Sequence, residues 1–140
     1  MKVLITLALL ILSIPSISIA QTWYTANQVT MQWDAVTLMQ DGTAIPVADQ
    51  VRYQPYQKLN SVEIGTAIGP EITDTQKLYT FGIEGSYLLG VKALRYVSGV
   101  KVSESGISWS DNPAVCQGGN TFGVIFYRAP GDPIGLRFPS

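Results

Sequence analysis

The fold of this chain is decided by residues 81–93, which read Phe-Gly-Ile-Glu-Gly-Ser-Tyr-Leu-Leu-Gly-Val-Lys-Ala. Gly82 and Gly85 predict a turn that brings Tyr87 to the start of a β-strand. Side chains alternate between the two faces of a strand, and one face of this strand carries Tyr87, Leu89, Val91 and Ala93. Because these side chains are apolar or aromatic, we expect that face to be buried in the core.

The spacing of Phe81 and Tyr87 is typical of a tyrosine corner. There, the hydroxyl of a tyrosine at the start of a strand reaches back to hydrogen-bond the backbone of the crossover between two sheets. In this spacing the stretch resembles a fibronectin type III domain, whose corner reads roughly Leu-x-Pro-Gly-Thr-x-Tyr-x-Val-x-Val-x-Ala. The chain keeps the tyrosine and the alternation after it, while Ile83 and Glu84 stand where the family has Pro-Gly. The resemblance implies an all-β, immunoglobulin-like (fibronectin type III-like) β-sandwich with Phe81 in its core.

Residues 28–33 fit a second strand of such a sandwich. They alternate strictly, with Val29, Met31 and Trp33 on one side and polar residues on the other, which predicts a half-buried antiparallel strand. The segment resembles strand B of the family, where a tryptophan that closes the strand fills the core. We therefore interpret Trp33 as a structural residue.

Residues 47–56 alternate less regularly and predict a strand with Val51 and Tyr53 pointing inward. The family's strand C carries a Tyr-x-Val-x-Tyr pattern, of which only the last two apolar positions survive here. Weaker strand patterns lie at 61–64, at 71–80 and at 100–109, the last with a break expected at Ser105-Gly106.

The resemblance covers residues 22–111, about 90 residues, which is a normal size for this kind of sandwich. We predict a signal peptide at 1–20, a fibronectin type III-like domain at 21–112, and a C-terminal β extension at 113–140 with one or two strands.

The first twenty residues have the features of a secretory signal. Met1-Lys2 gives a positive start, residues 3–14 form an apolar run, and Ser18 and Ala20 are small residues at positions −3 and −1 before a cleavage site at Gln21. A membrane anchor fits less well, because a spanning helix needs about 20 apolar residues and Pro15 interrupts this run. We expect a secreted protein, extracellular or at the cell surface, with no stable membrane insertion after cleavage.

The extension holds a strongly strand-like segment at 121–128, in which Phe122, Val124 and Phe126 alternate. Exposed, such a segment would promote aggregation, so we expect it to pair with another strand. These three side chains are candidate interaction residues.

The tail from Pro133 to Phe138 resembles the opening of a fibronectin type III domain, where a Pro-x-x-Leu-x-Val segment forms an edge strand. Its apolar side chains Ile134, Leu136 and Phe138 alternate along the chain. One alternative is that the tail folds back over its own edge strand. A second is that it adds to the sheet edge of a neighbouring copy, which on repetition builds a filament, and a third is a disordered tail.

Little in the sequence points to catalysis. There is no histidine, which removes the usual general base and the commonest metal ligand, and the acidic residues are scattered. No nucleophile elbow, phosphate-binding glycine loop or paired-cysteine zinc spacing occurs. We predict no enzyme activity, no cofactor and no metal, and the spread of 9 basic against 10 acidic residues does not imply nucleic acid. The single cysteine, Cys116, is either an inert half-buried thiol or a partner in an intermolecular disulfide.

These observations predict a non-catalytic secreted binding module whose partner is a protein, either a second copy through the C-terminal strand or another extracellular protein. Two alternatives stay open. One is a carbohydrate-binding module that uses Trp23, Tyr24 or Trp109 as an aromatic groove, and the other is an all-β enzyme with a carboxylate site.

The signal peptide makes a direct prediction about the exported chain. After export, its intact mass should correspond to residues 21–140, because a signal peptidase requires a small residue just before the cut. Replacing Ala20 by Leu should leave a larger, uncut chain, whereas Ala20→Gly should be processed normally. An exported protein that retains residues 1–20 would contradict the assignment.

Overall fold

The chain is built from short β-strands. A computed structural model describes residues 20–59 and 64–138. Within these ranges the strands are β1 (Thr22–Thr25), β2 (Gln28–Gln32), β3 (Gln50–Leu59), β4 (Thr66–Ala67), β5 (Gln76–Thr80), β6 (Gly85–Val97), β7 (Val100–Glu104), β8 (Ser108–Trp109) and β9 (Phe122–Phe126). Gln117–Gly119 forms a single 3-10 turn. The all-β prediction is therefore confirmed for the described ranges.

Two predicted segments fall largely outside these ranges. The signal peptide at 1–20 lies outside the described residues except for Ala20, and so does the weak strand at 61–64 except for Ile64. In the described part of the chain, no helix has the length and apolar character that crossing a membrane requires.

The larger sheet is centred on β6. β3 pairs with it antiparallel along one edge, and β7, β8 and β9 follow one another antiparallel along the other. β4 lies outside β3, and β1 lies parallel to β9 at the far edge. The gap between β7 and β8 contains the predicted break at Ser105-Gly106. The strand-like segment at 121–128 thus contributes β9, which pairs inside its own chain.

The second sheet consists of β2 and β5, paired antiparallel. The alternation predicted for β2 is seen: Met31 is buried and Val29 half-buried, while Thr30 is exposed. The two sheets share one core, so the fold is β-sandwich-like. Its buried members are Met31, Tyr79, Phe81, Tyr87, Leu89 and Val124.

Tyr79 connects the two sheets through its hydroxyl. Its side chain comes from β5 and is fully buried, and the hydroxyl donates to the carbonyl oxygen of Gly90 in β6 at 3.0 Å. Burial raises the pKa of the Tyr79 phenol far above its ordinary value, so the hydroxyl remains a donor.

The turn before β6 has the geometry of the predicted corner. The Tyr87 hydroxyl donates to the Ile83 carbonyl oxygen at 2.5 Å, and the Tyr87 ring packs on Phe81 with centroids 4.5 Å apart. Gly85 has a φ of +151°, and a Cβ there would lie 2.4 Å from a methyl of Leu59. Glycine is needed at this position because both the backbone and the space exclude a side chain.

The burial of β6 differs from the prediction. We expected one buried face, but Leu88 and Leu94 on the other face are 2% and 3% exposed, while Val91 and Ala93 are only half-buried. The reason is geometrical. Side chains of the same sheet cover the outer face, whereas the short second sheet ends before it reaches the inner face at Val91.

The remaining residues predicted for the core lie at its border. Tyr53 is 3% exposed, whereas Val51 is half-buried in β3. Trp33 and Val29 are half-buried and pack against the core cluster. Of the segment 71–80, only β5 is a strand.

The corner predicts a measurable stability loss. Tyr87→Phe removes the hydroxyl that satisfies the Ile83 carbonyl and should lower the free energy of unfolding by about 1 kcal/mol. Denaturant unfolding measures this, with Tyr127→Phe as control because Tyr127 is 63% exposed. Equal stabilities of the two variants would contradict a structural role for the hydroxyl.

Candidate functional site

The second sheet is too short to cover the first. β2 and β5 have 5 residues each, whereas β6 has 13, so part of the inner face of the large sheet faces a cleft of about 1020 Å³. Its apolar lining includes Met31, Trp33, Tyr53, Val91, Ala93 and Phe122. A cleft of this size can admit side chains of a partner.

Two loops form the walls of this cleft. The Tyr53 hydroxyl accepts the backbone N–H of Val36 at 2.9 Å, which holds the loop after β2 at one side. On the other side, the Ser110 hydroxyl accepts the Leu89 N–H at 3.1 Å and so fixes the start of the loop that leads to β9. Both walls are therefore anchored to the floor of the cleft.

Trp33 brings an unused donor to the wall of the cleft. Its ring lies edge-on to Tyr53, with centroids 5.5 Å apart. The indole Nε1 is buried and has no hydrogen-bond partner among the described residues. A buried donor without a partner is costly, so an incoming acceptor would be stabilised here.

β2 also presents an open edge beside the cleft. Its partner in the described sheets is β5. The Trp33 N–H donates to Thr75 and the Phe81 N–H to Asn27, both at 3.0 Å, so the odd-numbered residues of β2 are the ones hydrogen-bonded to β5. The backbone groups of Gln28, Thr30 and Gln32 consequently point to the open edge.

The C-terminal tail is exposed to solvent from residue 129 to residue 138. Residues 127–138 form no strand, and Ile134, Leu136 and Phe138 are 92%, 89% and 96% exposed. The expectation that the tail covers its own edge strand is therefore wrong for the described residues. Arg128 offers a physical reason, because its backbone N–H donates to Glu84 at 2.7 Å and its guanidinium to the Gly82 carbonyl at 3.1 Å. These contacts direct the chain onto the corner and away from the sheet edges.

Three predicted interaction residues lie inside the fold instead. Val124 is fully buried, and Phe122 and Phe126 pack against the core from the same face of β9. The edges of β9 are closed to a partner strand because β9 lies between β1 and β6, and of the three side chains Phe122 lines the cleft. The alternation of Phe122, Val124 and Phe126 predicted a strand, and this strand pairs with β1 and β6 of its own chain.

Of the aromatic residues proposed for carbohydrate, Trp23 and Trp109 lie on the outer face of the large sheet and Tyr24 on the other face. Trp23 and Tyr24 are neighbours in β1 and point to opposite faces, and Trp23 lies over Gly123. Trp109 lies over Gly90, and the ammonium of Lys58 stands 4.4 Å from its ring centre. Each indole covers a glycine of its own sheet.

Sequence reasoning missed a row of cation–aromatic contacts on the outer face of the large sheet. Arg52 lies 4.2 Å from the ring centre of Tyr96, and Lys92 lies 5.7 Å from that of Tyr56. The available signal was that Arg52, Tyr56 and Lys58 fall on one face of β3. Arg52 and Lys58 are the register partners of Leu94 and Leu88, so their side chains lie beside these two leucines on the outer face.

Two of the carboxylates form ion pairs with basic side chains of the large sheet. Asp49 forms an ion pair with Arg95 at 2.6 Å, and Glu104 forms one with Lys92 at 2.9 Å, which lowers the pKa of Glu104. In the described part of the chain, no three acidic, cysteine or histidine side chains are placed to share a metal ion.

Comparison of the chain with known protein families, curated proteins and solved structures finds no match. The functional assignment therefore rests on the cleft, the open edge and the tail.

Cys116 lies in the wall of the cleft. It is half-buried, and its thiol donates to the Ser110 carbonyl oxygen at 3.3 Å. Burial raises the pKa of the Cys116 thiol, and the nearby Asp111 carboxylate adds to the effect. A thiol in this state reacts slowly.

We expect iodoacetamide to alkylate Cys116 more slowly at pH 8 than it alkylates a cysteine in an unstructured peptide, because less of the raised-pKa thiol is thiolate. The rate should keep rising with pH after that of the peptide levels off, and Asp111→Asn should increase it. Intact-mass kinetics measure the rates. Rates equal to those of the peptide would contradict the shift.

Proposed function

We propose that the protein is a secreted, non-catalytic interaction module that self-associates through its C-terminal tail. The tail adds as a β-strand to a sheet of another copy, and repetition of this head-to-tail contact builds a filament. The observation that carries the proposal is the free tail, with three alternating apolar side chains that are at least 89% exposed.

An immunoglobulin-like, fibronectin type III-like topology is part of the proposal. It is supported by the pairing of β2 with β5 opposite a sheet ordered β9-β6-β3-β4, and by the hydrogen bond from Tyr87 back to the turn. Sandwiches of this kind serve many binding roles, so the fold is compatible with the function but does not define it.

The energy of burial favours an association. Burying a Leu, Ile or Phe side chain stabilises by about 1.5–3 kcal/mol, and the exposed tail leaves three of them in water. Strand addition buries such side chains on one face while the backbone groups pair with the new neighbour. The tail therefore gains more from a sheet edge than from a flat surface.

Light scattering on size-exclusion eluate tests the proposal with the chain that starts at Gln21. The mass should rise with concentration, and Leu136→Asp should weaken the association at least about tenfold because a charge enters the apolar face of the strand. Ile64→Asp is the matched control, since Ile64 is 93% exposed but lies outside the tail. An unaltered chain that stays monomeric at every concentration would refute self-association.

A further inference from the structure

We propose that the open edge of β2, together with the cleft beside it, is the acceptor site for the tail of a second copy. Residues 134–138 of that copy would lie along Gln28–Gln32, and the donor would reach the cleft at the end of β2, where Met31 and Gln32 line it. This inference rests on the proposed function and names the surface on which it acts.

The lengths of the two segments agree. Pro133 and Pro139 bracket the donor in the sequence, and a proline cannot donate to a ladder, so residues 134–138 are the part that can pair. β2 also has 5 residues. Gly135 has a φ of +71° in the free tail, and glycine can change to an extended conformation at little cost.

The cleft suits the side chains of the donor. A strand beside β2 would turn one face toward the large sheet, where Val91, Ala93 and Phe122 line the cleft. These residues are half-buried although they lie on the inner face of a sandwich, so they have apolar surface to cover. The Trp33 indole nitrogen is a buried donor without a partner among the described residues, and Trp33 belongs to the lining of the same cleft.

The edge of β2 fits better than that of β5. The segment between β4 and β5 is tied to β3, because the N–H groups of Tyr53 and Ile72 donate to each other's carbonyl oxygens at 2.7 and 2.9 Å, and its Ile68 packs against the core. This segment therefore occupies the side of the sandwich on which β3 and β4 lie. On the β2 side, β1 is not part of the second sheet but pairs with β9 in the large sheet. Among the described strands none pairs with the outer edge of β2, and the end of this edge at Met31 and Gln32 lines the cleft.

The donor belongs to another copy because of how the tail leaves the domain. Arg128 holds the chain on the turn at Gly82 and Glu84. The link from β1 to β2 lies near the end of β9, where the tail begins. The Ala26 N–H donates to the Ile125 carbonyl oxygen, and the Phe81 N–H donates to the Asn27 carbonyl oxygen. The tail of the same chain would have to pass over this link to reach β2.

The experiment compares two proline variants of the full chain from Gln21. Thr30 and Leu78 are register partners, and each directs its backbone N–H to its own outer edge, so a proline at either position leaves the β2–β5 pairing intact. Thr30→Pro should weaken self-association at least about tenfold, and Leu78→Pro should leave it unchanged. If Thr30→Pro assembles normally while Leu136→Asp does not, the tail binds elsewhere, and only the acceptor assignment is refuted.

Mixing separates donor from acceptor. The Thr30→Pro chain keeps its tail and the Leu136→Asp chain keeps its edge, so each alone should be a monomer and the mixture should give a 1:1 dimer that grows no further. A mixture that stays monomeric refutes the inference.

Hydrogen exchange on the unaltered chain gives a readout that no variant can disturb by misfolding. On assembly, the amides of Thr30 and Gln32 should exchange more slowly, whereas those of Leu78 and Thr80 should not change. Slower exchange at the edge of β5 alone would overturn the assignment. Slow exchange of the tail amides in a chain that light scattering shows to be monomeric would also overturn it, because the tail would then pair within its own chain.

Discussion

The hydrogen bond from Tyr79 to Gly90 is the contact on which the two-layer arrangement depends. A fully buried hydroxyl must be paired, and Gly90 supplies the carbonyl in the middle of the longest strand. Gly90 has no side chain, which also lets Trp109 lie flat on its other face. At Gly90, β6 therefore contacts Tyr79 of the second sheet on its inner face and the Trp109 indole on its outer face. For this reason β6 is buried on both faces there.

The sequence predicted the strands whose patterns were regular. Residues 28–33 and 81–93 alternate clearly because one side of each faces a core, and both became strands at those places. The outer face of β6 could not be predicted in this way, because its cover comes from Trp109 and Lys58, which are distant in sequence and belong to different strands. The resemblance to a fibronectin type III domain predicted the all-β class, while the finer topology stays a proposal.

The candidate site was only partly visible in the sequence. The alternation of Ile134, Leu136 and Phe138 marked the tail, but alternation does not tell whether a strand pairs with its own chain, and the same pattern at 121–128 belongs to an inner strand. The cleft depends on a difference in length between β5 and β6 that weak patterns at 71–80 did not reveal. Sequence periodicity reports which face is apolar, whereas the partner is decided by topology.

The parallel pairing of β1 and β9 has a mechanical consequence. Because the two strands run in the same direction, the chain enters at one end of the pair, at Thr22, and leaves at the opposite end, beyond Phe126. Tension applied between the two ends of the domain therefore pulls these neighbours past each other along their length. Their hydrogen bonds, from Thr22 to Thr121 at one end to Ala26 and Ile125 at the other, are loaded together rather than broken in turn. The domain is in this respect built to resist stretching along its strands.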